Sequence, residues 1–334
     1  MVTIRDVAKA ADVSLSTVSR VLNNSAKVDE PAKSRVLEAV SQLGYRPNVL
    51  AKALKEGKTN TIAFVIPNME NMIYPTLAIA VEEEARAHGY FVLFANTRED
   101  FQREAEYISR LKGSSVDGFL FSTGFAGKES REILALEEAH FPTVCLMREV
   151  EGVSSVVSEN YQGAYLGTKY LLEQGHREIA VLHGRLNVAL YKQRLAGHLD
   201  ALKDAGIPIR ESYIWSAVDG NSQRAAPCVL AQLEAGNIPQ AIFALSDPLA
   251  IETIVAAGRF GLQVPKDISI LGFDNMVSAD HYDLTTIEQP LHKMAQAATR
   301  KLIAMIQKKN AVESTTQVFP TQLIVRGSVR EQKK

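Results

Sequence analysis

Apolar positions in this 334-residue chain follow two rhythms. Up to Gly44 they recur every three or four residues, which predicts short amphipathic helices. The first is predicted from Ile4 to Ala11, with Thr3 as N-cap and Ile4, Val7, Ala8 and Ala11 on one face. Asp12-Val13 makes a tight turn, and Ser14 caps a second helix on which Leu15, Val18 and Val21/Leu22 face inward. A third starts near Asp29 with Pro31 in its first turn, buries Val36, Leu37, Val40 and Leu43, and stops at Gly44. The segment YRPNVLAKALKEGKT follows. Pro47 breaks the preceding structure, and Asn48 caps a short helix carrying Leu50, Ala51, Ala53 and Leu54 among Lys52, Lys55 and Lys58. A helix of roughly nine residues is not stable alone, so this one needs something to fold against; a solvated linker is the other reading.

From Thr61 the rhythm changes to continuous apolar runs separated by amphipathic stretches. TIAFVIP, YFVLFAN, VDGFLFS and PTVCLM read as strands, with helices over Pro75 to His88, Phe101 to Lys112 and Glu129 to Ala139 between them. A second series starts near Ser154. VSSVVS, EIAVLHG, AIFAL and ISILGF are strands, alternating with helices over Tyr161 to Gln174, Val188 to Asp204, a stretch to Glu234 and another to Arg259. Buried strands between amphipathic helices mean parallel sheets covered on both faces. So long a series exceeds one core, which predicts two similar α/β lobes with a cleft between them. The helix from Pro290 to Lys308 returns to the first lobe and makes several crossovers.

Composition places the chain among ordinary globular proteins, with 46% hydrophobic and 22% charged residues. No apolar run approaches the ~20 residues of a membrane span, and MVTIRDVAKAADVS lacks an apolar h-region. Cys145 and Cys228 form neither a disulfide framework nor a zinc spacing, which suits a reducing cytoplasm. Charge is asymmetric: residues 1–60 hold ten Lys/Arg and six Asp/Glu, the remainder 27 and 32. A basic head on an acidic body suggests a polyanionic partner for the head.

The second helix, in ADVSLSTVSRVLNN, carries the chemistry of the head. Ser16, Arg20 and Asn23 share one face, with Thr17 beside them and no acid among them. Short hydroxyls let a helix approach phosphates and base edges closely, and arginine can hold guanine with two hydrogen bonds. The free N–H groups near Ser14 point toward phosphate. Two helices joined by a short turn, the second polar and basic, form a helix-turn-helix pattern; a three-helix dimerisation module is the alternative. The body shows no phosphate-binding loop, no dinucleotide fingerprint, no nucleophile elbow and no metal-ligand spacing among its seven histidines. No catalysis, cofactor or metal is expected. Open α/β sheets bind ligands beyond the carboxyl ends of their strands. This singles out Tyr74, Arg148, Arg185, Ser246, Asp247, Asp274 and Asn275, with Arg194 on a following helix.

TIRDVAKAADVSLSTVSRVLNN, GYRPNVLAKALKEGKT, HREIAVLHG, QRLAGHLDALKDAGI, AIFALSDPLAI and VPKDISILGFDN together resemble the lactose-repressor/purine-repressor family of bacterial transcription regulators, over essentially the whole chain. The resemblance implies an all-α helix-turn-helix head over residues 1–46, a hinge over 47–59, and a two-lobed periplasmic-binding-protein-like α/β body over 60–334. That body has two doubly wound parallel sheets with crossovers. Its first lobe comprises about 60–158 and 290–320, and its second about 159–289 and 321–330.

On that resemblance the second helix lies in the major groove of a pseudo-palindromic operator. Leu15, Ser16 and Arg20 take base-reading positions, so Leu15 turns outward against the periodicity. Thr17, Ser19 and Asn23 contact or support phosphates. Thr3, Ser14, Lys52 and Lys55 complete the DNA-binding set, and Leu54 acts as a minor-groove wedge. The effector positions map to Tyr74, Arg194, Ser246 and Asp274, with Arg148, Glu159 and Arg185 nearby. The implied effector is a sugar or sugar phosphate, Arg148 and Arg185 pointing to an anionic one. No leucine heptad tail follows VRGSV, so a homodimer is expected. The rival readings are a periplasmic sugar receptor and a sugar-processing enzyme; the absent h-region and the basic head oppose the first, and the absent catalytic constellation opposes the second.

Overall fold

The structure is a computed structural model that describes residues 2–22, 28–45, 58–113, 115–122, 131–219, 222–308 and 314–332. The chain divides into two units, Met1–Thr59 and Asn60–Lys334.

In the first unit, α1 (Ile4–Ala10), α2 (Leu15–Leu22) and α3 (Glu30–Gln42) enclose a small core around Val7, Val18 and Val36. Local chemistry starts each helix. The Thr3 N–H and hydroxyl both donate to the Asp6 carboxylate at 2.8 Å, which ties down the first turn of α1. Ser14 Oγ accepts from the Thr17 N–H at 3.1 Å, capping α2. Asp29 and Pro31 open α3. Arg35 Nε then donates to the Ala11 carbonyl at 3.1 Å, satisfying an acceptor at the end of α1 and fixing α3 across the turn. Leu37, predicted to face inward, is 49% exposed; Leu15, inward by periodicity but outward on the family resemblance, is 45% exposed. Val18, Val21, Ala32, Val36 and Ala39 already fill the interior, and so small a domain cannot enclose every residue of an apolar stripe.

Among its described residues the second unit holds two six-stranded sheets. The first contains β1 (Thr61–Ile66), β2 (Phe91–Asn96), β3 (Gly118–Ser122), β4 (Thr143–Leu146), β5 (Ser155–Ser158) and β13 (Thr316–Phe319). Their order is β2-β1-β3-β4-β5-β13, all parallel. The second contains β6 (Ile179–His183), β7 (Ile214–Ser216), β10 (Ala241–Ala244), β11 (Ser269–Asp274), β12 (Thr285–Glu288) and β14 (Gln322–Ile324). Their order is β7-β6-β10-β11-β12-β14, parallel except for β14. A two-stranded ribbon, β8 (Val218–Asp219) and β9 (Ser222–Gln223), stands beside it.

Helices cover both sheets. They are α4 (Ile73–Ala87), α5 (Phe101–Leu111), α6 (Arg131–Glu138), α7 (Asn160–Glu173), α8 (Ala189–Asp204), α9 (Ala225–Glu234), α10 (Asp247–Phe260), α11 (Val277–His281) and α12 (Leu291–Lys308). Every residue of β3, β4, β10 and β11 is buried, as continuous apolar runs require. The edge strand β2 is different, and its Phe91 is 76% exposed.

VSSVVS closes the first sheet rather than opening the second, because β5 pairs with β4 and β13. The chain leaves the first sheet after β5 and comes back after β12 through α12. It leaves again between β13 and β14. Helix α12 buries Leu291, Met294, Ala298, Leu302 and Ile306 and packs on α4, β3 and β4. Gly118 makes that approach possible: a Cβ there would lie 2.9 Å from Leu302 Cδ1 and 3.0 Å from the Pro142 carbonyl oxygen.

Candidate functional site

The outward face of α2 presents Ser14, Leu15, Ser16 and Arg20 to solvent, with Thr17 and Ser19 half-buried. Ser14 Oγ lies 2.7 Å from Ser16 Oγ and 2.9 Å from Thr17 Oγ1, so the hydroxyls form one cluster at the start of the helix. Thr3 is exposed beside α1, its hydroxyl committed to Asp6. Asn23, Lys52, Leu54 and Lys55 lie outside the described residues.

In the body, the segments after β1, β2 and β4 of the first lobe and after β6, β10 and β11 of the second enclose a cavity of about 510 Å³. This is the place the strand topology provides: both sheets aim their carboxyl ends at one crevice. Arg194, from α8, is 1% exposed. Its Nε donates to Asn160 Oδ1 at 2.9 Å, and its Nη1 donates to the Leu245 carbonyl at 2.7 Å and to Asp274 Oδ1 at 3.2 Å. The guanidinium carbon lies 3.6 Å from the centre of the Phe273 ring. Nη2 has no hydrogen-bond partner among the described residues. Burial lowers the Arg194 pKa and the Asp274 charge raises it. For Asp274 burial pushes the carboxyl up and Arg194 pulls it back.

The turn after β11 aims Asp274. Asp274 and Asn275 have φ of 125° and 56°, in the left-handed region that side chains disfavour. Asp247 supports the turn from beneath, off the cavity wall. Its carboxylate accepts from the Met276 N–H at 2.7 Å and the Thr286 hydroxyl at 2.6 Å. Burial, and then the Asp274 charge, push Asp247 up to about 7. Gln289 joins the floor to the crossover strands: its Nε2 donates to Asp274 at 2.6 Å while its Oε1 accepts from the Ser158 hydroxyl at 2.5 Å. Higher on the wall, the Tyr191 hydroxyl accepts from Gln223 Nε2 at 3.0 Å and donates to Ser246 Oγ at 3.5 Å.

Of the residues singled out by sequence, Tyr74, Arg185, Arg194, Ser246 and Asp274 all line this cavity. Arg148 and Glu159 do not. The Arg148 guanidinium is buried inside the first lobe, where Nη1 donates to Glu104 at 3.1 Å. Met147, with φ of 60°, faces the cavity in its place. Glu159 is exposed at the N-cap position of α7. Tyr191, Gln223, Asn160 and Gln289 escaped the sequence reading. Only Tyr191 carried a signal, three positions before Arg194 on the same helix. Among the described residues no group of three His, Cys, Asp or Glu could hold a metal ion, and no helix is long and apolar enough to cross a membrane. Cys145 is fully buried, and burial pushes its thiol up to about 12, so it carries no nucleophilic thiolate.

A helix-turn-helix unit with a hydroxyl-rich, acid-free face, in one chain with a two-lobed α/β unit whose cavity carries a buried arginine–carboxylate pair, defines a DNA-binding regulator that takes a small ligand. Comparison with known proteins agrees. The family model for bacterial regulatory proteins of the lacI family matches residues 3–48, and that for a periplasmic binding protein-like domain matches residues 168–329. The HTH-type transcriptional regulator DegA of Bacillus subtilis is 36% identical over 98% of this chain and 97% of its own length. The ribose operon repressor of Halalkalibacterium halodurans is 35% identical over 99% and 98%. The lac repressor dimer bound to operator and the anti-inducer ONPF superposes with a TM-score of 0.87 at 26% identity, covering 98% of this chain and 99% of that one. The chain belongs to the lacI family of bacterial regulatory proteins. It is a transcriptional regulator with a DNA-binding head and an effector-binding body, and not an enzyme.

Proposed function

We propose that this regulator binds a pseudo-palindromic operator as a homodimer, and that a neutral, hydroxyl-rich sugar in the cleft switches its grip on DNA. On the head, Leu15, Ser16 and Arg20 read base edges while Ser14, Thr17 and Ser19 approach phosphates. In the body the contact set is Tyr74, Arg194, Ser246 and Asp274, with Arg185 at the mouth; Arg148 and Glu159, off the wall, are not part of it. One observation carries the reading: a guanidinium desolvated beside a carboxylate, Arg194 with Asp274, on the wall of a cavity that both lobes line. A sugar hydroxyl both donates and accepts, so it suits a wall that offers the Asp274 carboxylate as acceptor and the Ser246 hydroxyl as donor.

The charges of the wall favour a neutral sugar over its phosphate. Among the described residues each arginine there faces an acid: Arg194 with Asp274 at 3.2 Å, Arg224 with Glu252 at 3.1 Å, and Arg185 with Glu99 at 3.6 Å. Glu70 adds one further negative charge. A phosphate entering this cavity meets paired cations and a surplus acid. Names of relatives, a ribose operon repressor and a lac repressor, support a carbohydrate. Coupling between cleft and head of about 1–3 kcal/mol would change operator affinity between several-fold and about a hundredfold.

Mobility shifts of promoter DNA with the purified chain, titrated with sugars and with the matching sugar phosphates, test the proposal. A neutral sugar is expected to change operator affinity in either direction while its phosphate leaves it unchanged. A response to phosphorylated sugars alone would overturn the effector class, and the absence of any sequence preference would overturn operator binding.

A further inference from the structure

We propose that Arg185 and Glu99 form a latch across the mouth of the cleft, whose charge attraction holds the two lobes of the body together. The two side chains lie 3.6 Å apart. Glu99 follows β2, the edge strand of the first sheet, and Arg185 follows β6, one strand in from the edge of the second. The crossovers between lobes all run at the other side, through β5 and β13 of one sheet and β12 and β14 of the other. From β5 to β2 the sheet spans four strand spacings, about 19 Å at ~4.8 Å each. Rocking of the lobes about the crossovers by about 10° would therefore part the mouth by about 3 Å, enough to separate the pair. The ion pairs Arg194–Asp274 and Arg224–Glu252 are internal to the second lobe and do not feel that movement.

Both partners are held by loops tied to the cavity wall. The Thr97 and Glu99 N–H groups donate to the carbonyls of Ile66 and Pro67 at 2.9 and 3.0 Å. Arg98 and Glu99 adopt left-handed φ of 53° and 60°, which non-glycine residues seldom do in succession, and the Arg98 N–H donates to Asn96 Oδ1 at 3.2 Å. Across the cleft the Arg185 N–H donates to Gln223 Oε1 at 3.3 Å. The side chains are 18% and 37% exposed, so water and salt screen the attraction and the latch is weak enough to open.

The test uses the full-length chain without any effector, so its failure is distinct from failure of the sugar reading. Spin labels on Gln102→Cys and Lys192→Cys, both at exposed positions of the two lobes, in a Cys228→Ser background diluted with unlabelled chain, report the interlobe distance by pulsed electron resonance. At low salt Glu99→Gln is expected to raise the ratio of open to closed lobes about two- to five-fold, and high salt is expected to do the same to the parent. Exchanging the charges, Glu99→Arg with Arg185→Glu, is expected to restore the parent ratio. An unchanged distance distribution in Glu99→Gln at low salt, or an exchanged pair that stays as open as the single variant, would overturn the latch.

Discussion

Arg20 and Arg194 are the same side chain under opposite conditions. Arg20 stands exposed on α2, whereas Arg194 is 1% exposed, bonded to Asn160, Leu245 and Asp274. The head has a core of a few valines and alanines and no interior in which a charge could be desolvated. Its chemistry stays on the surface, where contacts with an extended polyanion replace contacts with water. The body has the volume to surround a small molecule, and so removes the arginine from water in advance and holds it with fixed partners. Surface chemistry can be changed without harm to the fold. Buried chemistry is part of the fold.

The largest test of that contrast is Asp274→Ala. It leaves the Arg194 guanidinium buried without its carboxylate and is expected to cost about 3–5 kcal/mol of stability by equilibrium denaturation. A loss as small as that of a surface substitution would mean that Asp274 is not needed to hold Arg194 in place. Arg20→Ala comes next. It should weaken operator binding by ~1–3 kcal/mol and relax base preference while the melting temperature stays put; a destabilised head would make Arg20 structural after all.

The smallest effect at any single pH is a slope. Asp247, at about 7 when folded against 3.8 ordinarily, keeps its proton where the unfolded chain has lost it. Its contribution to stability therefore falls as pH rises from about 4 to about 7 and is level above that. His198, pushed down from 6.5 to about 3 by burial, acts in the other direction, its contribution falling as pH drops through that range. Asp247→Asn, whose Thr286 partner can rotate to donate or accept, should gain stability relative to the parent as pH rises over the Asp247 window. Denaturation curves at several pH values read this directly, and a constant difference across the window would remove Asp247 from the titration.

What could be read in advance follows from how far apart the cooperating residues are. Thr3 with Asp6, Ser14 with Thr17, and Asp29 with Pro31 act within a single turn, so the starts of α1, α2 and α3 were visible in the string itself. Arg194 and Asp274 could be singled out because strand ends mark a crevice, but the string did not say that Asn160, Gln223, Tyr191 and Gln289 would meet around them. Arg148 shows the limit of strand-end reasoning: at Met147 the backbone turns left-handed, so the next side chain points into the lobe and not into the cleft.

By itself, then, the sequence determined the helix starts, the α/β alternation, the polar face of α2 and the family, because these rest on local propensity, periodicity and short motifs. Only the tertiary structure decided that Leu37 stays in solvent, that Arg148 belongs to Glu104, and that Glu99 reaches Arg185 across the cleft. Each of those outcomes depends on which surfaces are left to fill once distant segments have packed, and no local pattern carries that information.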